Sequence, residues 1–168
     1  VQSIPYASSI LKIGNGMPGL IILAEKKNKK EIWVSADGIY LIIFNGKIIE
    51  TKGLFNNLIR SEIPYTLYNQ FNQSRLQNFN YYLSYDNPPL YDLKLQVSIE
   101  VKGTEEVIIL DRKRKLTLIE ETLKNDYLGW NAVNSYWVDE DNFIWKSIQT
   151  ISPKLPPFEI QVTKKPAN

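Results

Sequence analysis

Apolar and polar positions alternate along much of the chain. Leu93, Leu95, Val97, Ile99 and Val101 fall on one side of an extended backbone, and Lys94, Gln96, Ser98, Glu100 and Lys102 on the other. A period of two marks a β-strand with one covered face. Phe158, Ile160 and Val162 oppose Glu159, Gln161 and Thr163 in the same way, and Leu116 and Leu118 alternate with Lys115 and Thr117. Leu20 to Ala24 and Ile39 to Phe44 are apolar on both sides. They read as strands covered on both faces, or as strands near the end of a barrel.

Turn signals separate these runs at short intervals. Gly14-Asn15-Gly16, the charged stretch Lys26 to Glu31, Asp37-Gly38, Asn45-Gly46 and Asp139 to Asn142 each divide two apolar segments. Asn-Gly is a strong hairpin signal because both residues tolerate positive φ. The simplest topology is a long meander of hairpins. Two stretches break the pattern. In Gly53 to Ile63, Leu54, Leu58 and Ile59 fall near one helical face, which predicts a short helix near 54–60. Tyr65 to Phe79 is rich in Asn and Gln and reads as a polar connection or irregular strand edge, and Pro88-Pro89 ends what precedes it. The tail after Val162 reads as a fraying end. The expected fold is all-β: one antiparallel β-barrel domain over 1–168, with a sandwich as the alternative. Closure removes exposed edges, and few prolines protect edges within the strands.

Composition narrows the function. The 168 residues suit one domain, and a 43% hydrophobic fraction suffices for a core. Twenty basic residues nearly balance 18 acidic ones, for a net charge of +2. That balance supplies no electrostatic footprint for nucleic acid. The chain contains no Cys and no His. Thiolate nucleophiles, disulfides, Cys/His zinc sites and His-based triads therefore cannot be built. No cofactor is implied. No run reaches the ~20 apolar residues of a membrane helix. The sequence opens on Val1 without a start methionine, so a processed or truncated N-terminus, with a signal segment removed, is expected.

Three groups of residues could carry function. The first is the acids Glu120-Glu121 and Asp139-Glu140-Asp141. Neighbours in a strand point to opposite faces, so Glu120 and Glu121 cannot act as a pair. Solvated or salt-bridged surface roles are expected for these acids. The second is Arg112, Lys113 and Arg114, which suit an anionic partner or a hairpin tip kept soluble by charge. The third is the late aromatic cluster of Trp130, Tyr136, Trp137 and Trp145. Flat aromatics stack on sugar rings; they also fill barrel cores and pair across strands.

Two segments are more specific. Trp33-Val34-Ser35-Ala36-Asp37-Gly38 is followed by Asn45-Gly46-Lys47-Ile48-Ile49 and Gly53-Leu54. Tyr136-Trp137-Val138-Asp139 is followed by Ile144-Trp145-Lys146-Ser147, Gln149, Ser152-Pro153-Lys154-Leu155-Pro156-Pro157 and Glu159-Ile160. With Pro5-Tyr6-Ala7-Ser8 and Leu128-Gly129-Trp130-Asn131, they resemble the YjbF / group 4 capsule polysaccharide lipoprotein family. The resemblance implies an all-β barrel and a lipoprotein of the outer membrane's periplasmic face. Its anchoring cysteine would lie upstream of Val1. It further implies a non-catalytic accessory role in capsule or exopolysaccharide assembly or export. The partners implied are polysaccharide or capsule-export proteins. Contact with the membrane would come through the lipid anchor alone. A direct carbohydrate-binding module is the second reading and a carboxylate-based glycan hydrolase the third. Many of the motif residues are turn formers, so much of the motif is expected to specify fold.

Overall fold

The structure is a computed structural model and describes residues 6–64 and 77–167. Among these, strands follow one another as β1 (Ser8–Ile13), β2 (Gly19–Lys27), β3 (Lys30–Ser35), β4 (Tyr40–Phe44), β5 (Lys47–Lys52) and β6 (Leu58–Glu62). They continue as β7 (Gln77–Tyr85), β8 (Leu90–Ile109), β9 (Arg112–Asn125), β10 (Trp130–Val138), β11 (Ile144–Gln149) and β12 (Phe158–Lys164). All pairings are antiparallel between chain neighbours, apart from two departures. β1 pairs with β12, joining the two ends of the chain, and β5 and β6 form the two edges of the sheet.

The two edges meet, so the sheet is a nearly closed barrel. Side chains stitch this seam. Ser61 Oγ donates to the Ile49 carbonyl at 2.7 Å, and the Leu58 N–H donates to Thr51 Oγ1 at 3.0 Å. Here the predicted helix near 54–60 does not form. Asn57 occupies the local backbone instead: its Oδ1 accepts from Leu54 N at 3.0 Å and its Nδ2 donates to Leu54 O at 2.9 Å. Asp86 Oδ1 then accepts from Asn57 N at 2.7 Å. An Asn that bonds nearby backbone groups competes with helix formation. Leu58 goes into the core as the first residue of β6.

The interior is filled by alternate residues. Leu41, Leu95 and Phe158 are fully enclosed, as are Tyr81 and Tyr85 of β7. Of the Asn- and Gln-rich stretch predicted as a connection, 65–76 lies outside the described residues, and 77–79 opens β7. The charge run at Lys26 to Glu31 is narrower than a loop. Both strands extend into it, and Asn28 and Lys29 alone make the turn, at φ 51° and 66°. Such a two-residue turn matches the twist of the strands it joins. The tail does not fray at Val162, for β12 runs to Lys164 and Pro166 is buried beyond it.

Alternation of direction gives the barrel two unlike ends. The base carries the β1–β2, β3–β4, β5–β6, β7–β8, β9–β10 and β11–β12 connections. The last of these, 150–157, seals it. Tyr85 OH donates to the Ile151 carbonyl at 2.6 Å, and Ser152 Oγ bonds Asn56 Oδ1. The mouth carries the β2–β3, β4–β5, β8–β9 and β10–β11 turns, the start of β1 and the end of β12. After a bulge between Val101 and Gly103, β8 and β9 run on together past β7 and β10. The resulting β8–β9 arm buries Val107, Ile109 and Leu116 against Trp145 and Val162.

Gly53 tests the base. Its φ is +86°, and a Cβ there would collide with the Gly38 carbonyl oxygen. Backbone cannot give way as a flexible side chain does. Gly53→Ala should therefore destabilise the barrel by about 2 kcal/mol or more, read as a lowered midpoint in urea or heat.

Candidate functional site

Glu121 is the first surprise. It lies between Ile119 and Leu123, so the period of two turns it inward with them, and it is 2% exposed. The expectation of a surface role fails here because strand parity outweighs the preference of a carboxylate for water. Lys47, the first residue of β5, reaches it across the lumen. Its Nζ lies 2.5 Å from both carboxylate oxygens. Tyr81 OH donates to Oε2 at 2.5 Å, Tyr136 OH to Oε1 at 3.1 Å, and Asn134 Nδ2 to Oε1 at 2.9 Å. Asn134 Oδ1 in turn accepts the Thr150 N–H at 2.7 Å. The ammonium also stands over the rings of Tyr81 and Tyr136, at 4.9 and 5.4 Å.

Burial pushes the Glu121 carboxyl up. The Lys47 charge and the surrounding donors outweigh it and hold the group below the usual carboxylate range. A carboxylate so held is an ion-pair partner, not a proton donor near neutral pH. The described residues bring no second acid into its set of contacts, as two-carboxylate glycoside hydrolysis needs.

Gln149 completes the interior. Its Oε1 accepts from Ile48 N at 2.9 Å, and its Nε2 donates to Gly46 O at 2.9 Å and to Ser147 Oγ at 2.9 Å. A single buried amide thus bonds the β5 backbone as a neighbouring strand would. Gly46, Lys47, Ser147 and Gln149 come from the two sequence motifs, which meet here.

The other sequence-selected residues are spread over the barrel. Trp130 is buried in the main core. Tyr136 belongs to the Glu121 network. Trp145 is buried at the mouth, donates Nε1–H to Asp139 Oδ2 at 2.9 Å and lies 3.5 Å beneath the Arg114 guanidinium. Trp137, on the face opposite Tyr136, is half-buried and donates to Glu105 Oε2 at 2.9 Å; Lys146 stands 4.9 Å over its ring. Arg112 and Lys113 are exposed near the arm's tip. Trp137, Trp145 and Arg114 are therefore brought together, while Trp130 and Tyr136 lie apart from them. Asp139 is not merely solvated: besides Trp145 its carboxylate accepts the Asp141 and Phe143 N–H groups at 2.8 and 3.0 Å.

A cavity of about 310 Å³ opens at the mouth. Trp33, Ile43, Ile144 and Ile160 form its walls, and Lys26, Lys29, Lys146 and Lys165 stand around it. Ser9 of β1 is also on the wall. Composition and motif reading did not find this pocket, because its residues are scattered from the start of β1 to the end of β12.

Fold and site together define a small up-and-down β-barrel, tied across its lumen by a buried ion pair, closed at its base and hollow at its mouth. The profile of the family described as "Group 4 capsule polysaccharide lipoprotein gfcB, YjbF" matches residues 1–163, and the chain belongs to that family. It is 22% identical over 172 residues to the uncharacterized lipoprotein YjbF of Escherichia coli K12, covering 98% of this chain and 78% of that one. A shorter match, 29% over 59 residues, relates it to the uncharacterized lipoprotein GfcB of the same organism, over 35% of this chain and 28% of that one. The crystal structure of the hypothetical lipoprotein YmcC from Escherichia coli K12 has the same fold. The TM-score is 0.88 at 22% identity, over 99% of this chain and 87% of that one.

Removing one partner of a buried ion pair strands the other. Lys47→Met and Glu121→Leu should each destabilise the barrel by about 3–5 kcal/mol, and the double variant should recover much of that loss, measured by denaturant melts. The pH dependence follows from the lowered Glu121 pKa. Between the folded and unfolded values the unfolded chain binds more protons, so the stabilisation is full above the unfolded value of about 4.3 and is lost as pH falls through the folded one. Glu121→Gln should flatten that acid limb.

Proposed function

We propose that this protein is a non-catalytic, lipid-anchored accessory factor in the assembly or export of a capsule or exopolysaccharide, acting by binding at the periplasmic face of the outer membrane. The observation that carries the reading is family membership along nearly the full chain, under a description that names a capsule polysaccharide lipoprotein. The interior chemistry supports it. The buried carboxylate is locked to a lysine, two phenols and an amide, an arrangement suited to holding a wall together.

The barrel's polarity supports an anchored reading as well. β1 starts at the mouth, so a lipid attached upstream of Tyr6 would hold the mouth toward the membrane. The arm would then project from that same end. We assign Arg112 and Lys113, exposed near its tip beside Ile108 and Leu110, to contact with an anionic group on an export partner.

Direct sugar stacking on the tryptophans is the weaker reading. Trp130 and Trp145 are enclosed, and Trp137 carries Lys146 over its ring. Deleting the gene in its native host should reduce surface polysaccharide, measured on extracted glycan, and the wild-type gene should restore it. Unchanged surface polysaccharide in the deletion strain would refute the accessory role.

A further inference from the structure

The pocket at the mouth combines three features that together describe one class of ligand. Its walls are largely apolar, with Asn45, Asn142 and Ser147 among them. Trp33 and Ile43 come from the first half of the meander, and Ile144, Ile160 and Val162 from the second. Its volume, about 310 Å³, is near the lower limit for small-molecule pockets, which leaves room for one chain segment and not for a multi-chain lipid.

The surroundings are cationic. Four lysines stand around the opening, against one carboxylate, Glu31. None of the four makes a salt bridge among the described residues. Lys26 Nζ donates to the Ala167 carbonyl at 3.4 Å, Lys146 stands over Trp137 and Lys165 stands over Phe143. Lys26 also stands directly across the strand pair from Glu31 and is partly offset by it, whereas the ring contacts of Lys146 and Lys165 bring no opposing carboxylate. Lysine is a mobile point charge, able to follow a phosphate or carboxylate whose position varies.

The third feature is Ser9. It is 1% exposed and lies on the pocket wall, and its Oγ has no hydrogen-bond partner among the described residues. A buried hydroxyl without a partner is costly, and each one calls for an explanation. A ligand oxygen entering between the lysines and the apolar wall would supply one.

A saccharide fits these features poorly. Stacking needs a broad open ring face, and Trp33, at 4% exposure, offers only a narrow strip of its ring to the pocket, enough for contact with a hydrocarbon chain. We infer that the mouth pocket binds an anionic single-chain amphiphile, its acyl or prenyl segment against Trp33, Ile144 and Ile160, and its phosphate or carboxylate among the rim lysines. This deepens the binding role proposed above. It rests on that reading only for where the lipid is met, since an anchored barrel would hold its mouth toward a membrane.

Four probes test it on the unmodified full chain: dodecyl phosphate, dodecanoate, dodecanol and inorganic phosphate, each below any micelle concentration. Binding is followed by calorimetry and tryptophan fluorescence. The two charged amphiphiles should saturate, dodecanol should bind about tenfold more weakly or worse, and inorganic phosphate should not bind measurably. Equal binding of dodecanol would overturn recognition of the head group. Equal binding of inorganic phosphate would overturn the role of the walls. Absence of saturation by either charged amphiphile would overturn the proposal outright.

Two variants add direction. Lys26→Ala with Lys29→Ala, both at exposed positions, should weaken dodecyl phosphate about tenfold at an unchanged melting temperature. Glu31→Gln removes the one opposing carboxylate and should tighten it. An unaltered affinity in both would count against the rim. A strain that loses polysaccharide on deletion while the protein ignores all four probes would leave the accessory role standing and this inference refuted. Tight amphiphile binding without a polysaccharide phenotype would do the reverse.

Discussion

Everything in this barrel depends on a closure that backbone hydrogen bonds do not complete. β5 and β6 are neighbours in sequence, joined by five residues, and are the natural place for another hairpin. They form the two edges of the sheet instead. The ion pair between Lys47 and Glu121 resolves the problem from inside. It fastens β5 to β9 on the far side of the lumen, and two phenols and an amide share the same carboxylate. Burying two charges costs several kcal/mol per ion before pairing. That cost is tolerable only where every acceptor site is filled, as it is here. The benefit is positional, because an apolar pair would slide and a bonded one cannot.

Gln149 shows the same logic on the backbone. An edge strand exposes unpaired N–H and C=O groups that invite pairing with another chain. A side-chain amide offers one donor and one acceptor at the spacing of a peptide, and Gln149 spends both on Ile48 and Gly46. Ser61, Thr51 and Asn57 treat the neighbouring groups in kind. The seam is thus polar and satisfied without a continuous ladder.

This explains which parts were legible in the sequence. Strands with one covered face announce themselves by period, and β8, β9 and β12 lie where alternation places them. β7 hides because its inward Phe79, Tyr81, Leu83 and Tyr85 alternate with Asn78, Asn80, Tyr82 and Ser84, so that Tyr82 blurs the period and the Asn residues read as polar connection. Leu54, Leu58 and Ile59 satisfy a helical spacing by chance, and only the side-chain bonds of Asn57 decide against it. Glu121 carried a usable signal, since Ile119 and Leu123 flank it at the strand period. An adjacent Glu120 and a general preference of acids for water concealed it. Trp33, Gly46, Ile144, Lys146 and Ser147 of the pocket stand in the two motifs, but no local pattern says that they line one cavity. Its residues meet only when β1 pairs with β12 and the β2–β3 and β10–β11 turns arrive at the same end.

The ion pair also decides what kind of barrel this is. A lumen lined with small polar groups could pass a polymer, but here the lumen is crossed. Ser147 and Gly46 lie on the wall of the mouth pocket, and both are bonded to Gln149 beneath it. Next comes Lys47 with Glu121, then the tyrosines, and at the base the 150–157 segment held by Tyr85. Each layer is hydrogen-bonded to its walls, so none can withdraw without breaking the closure that depends on it. The hollow at the mouth is therefore a blind pocket and not one end of a channel. A role in moving polysaccharide would have to be exercised through what the mouth and the arm hold, since nothing can be threaded through the middle.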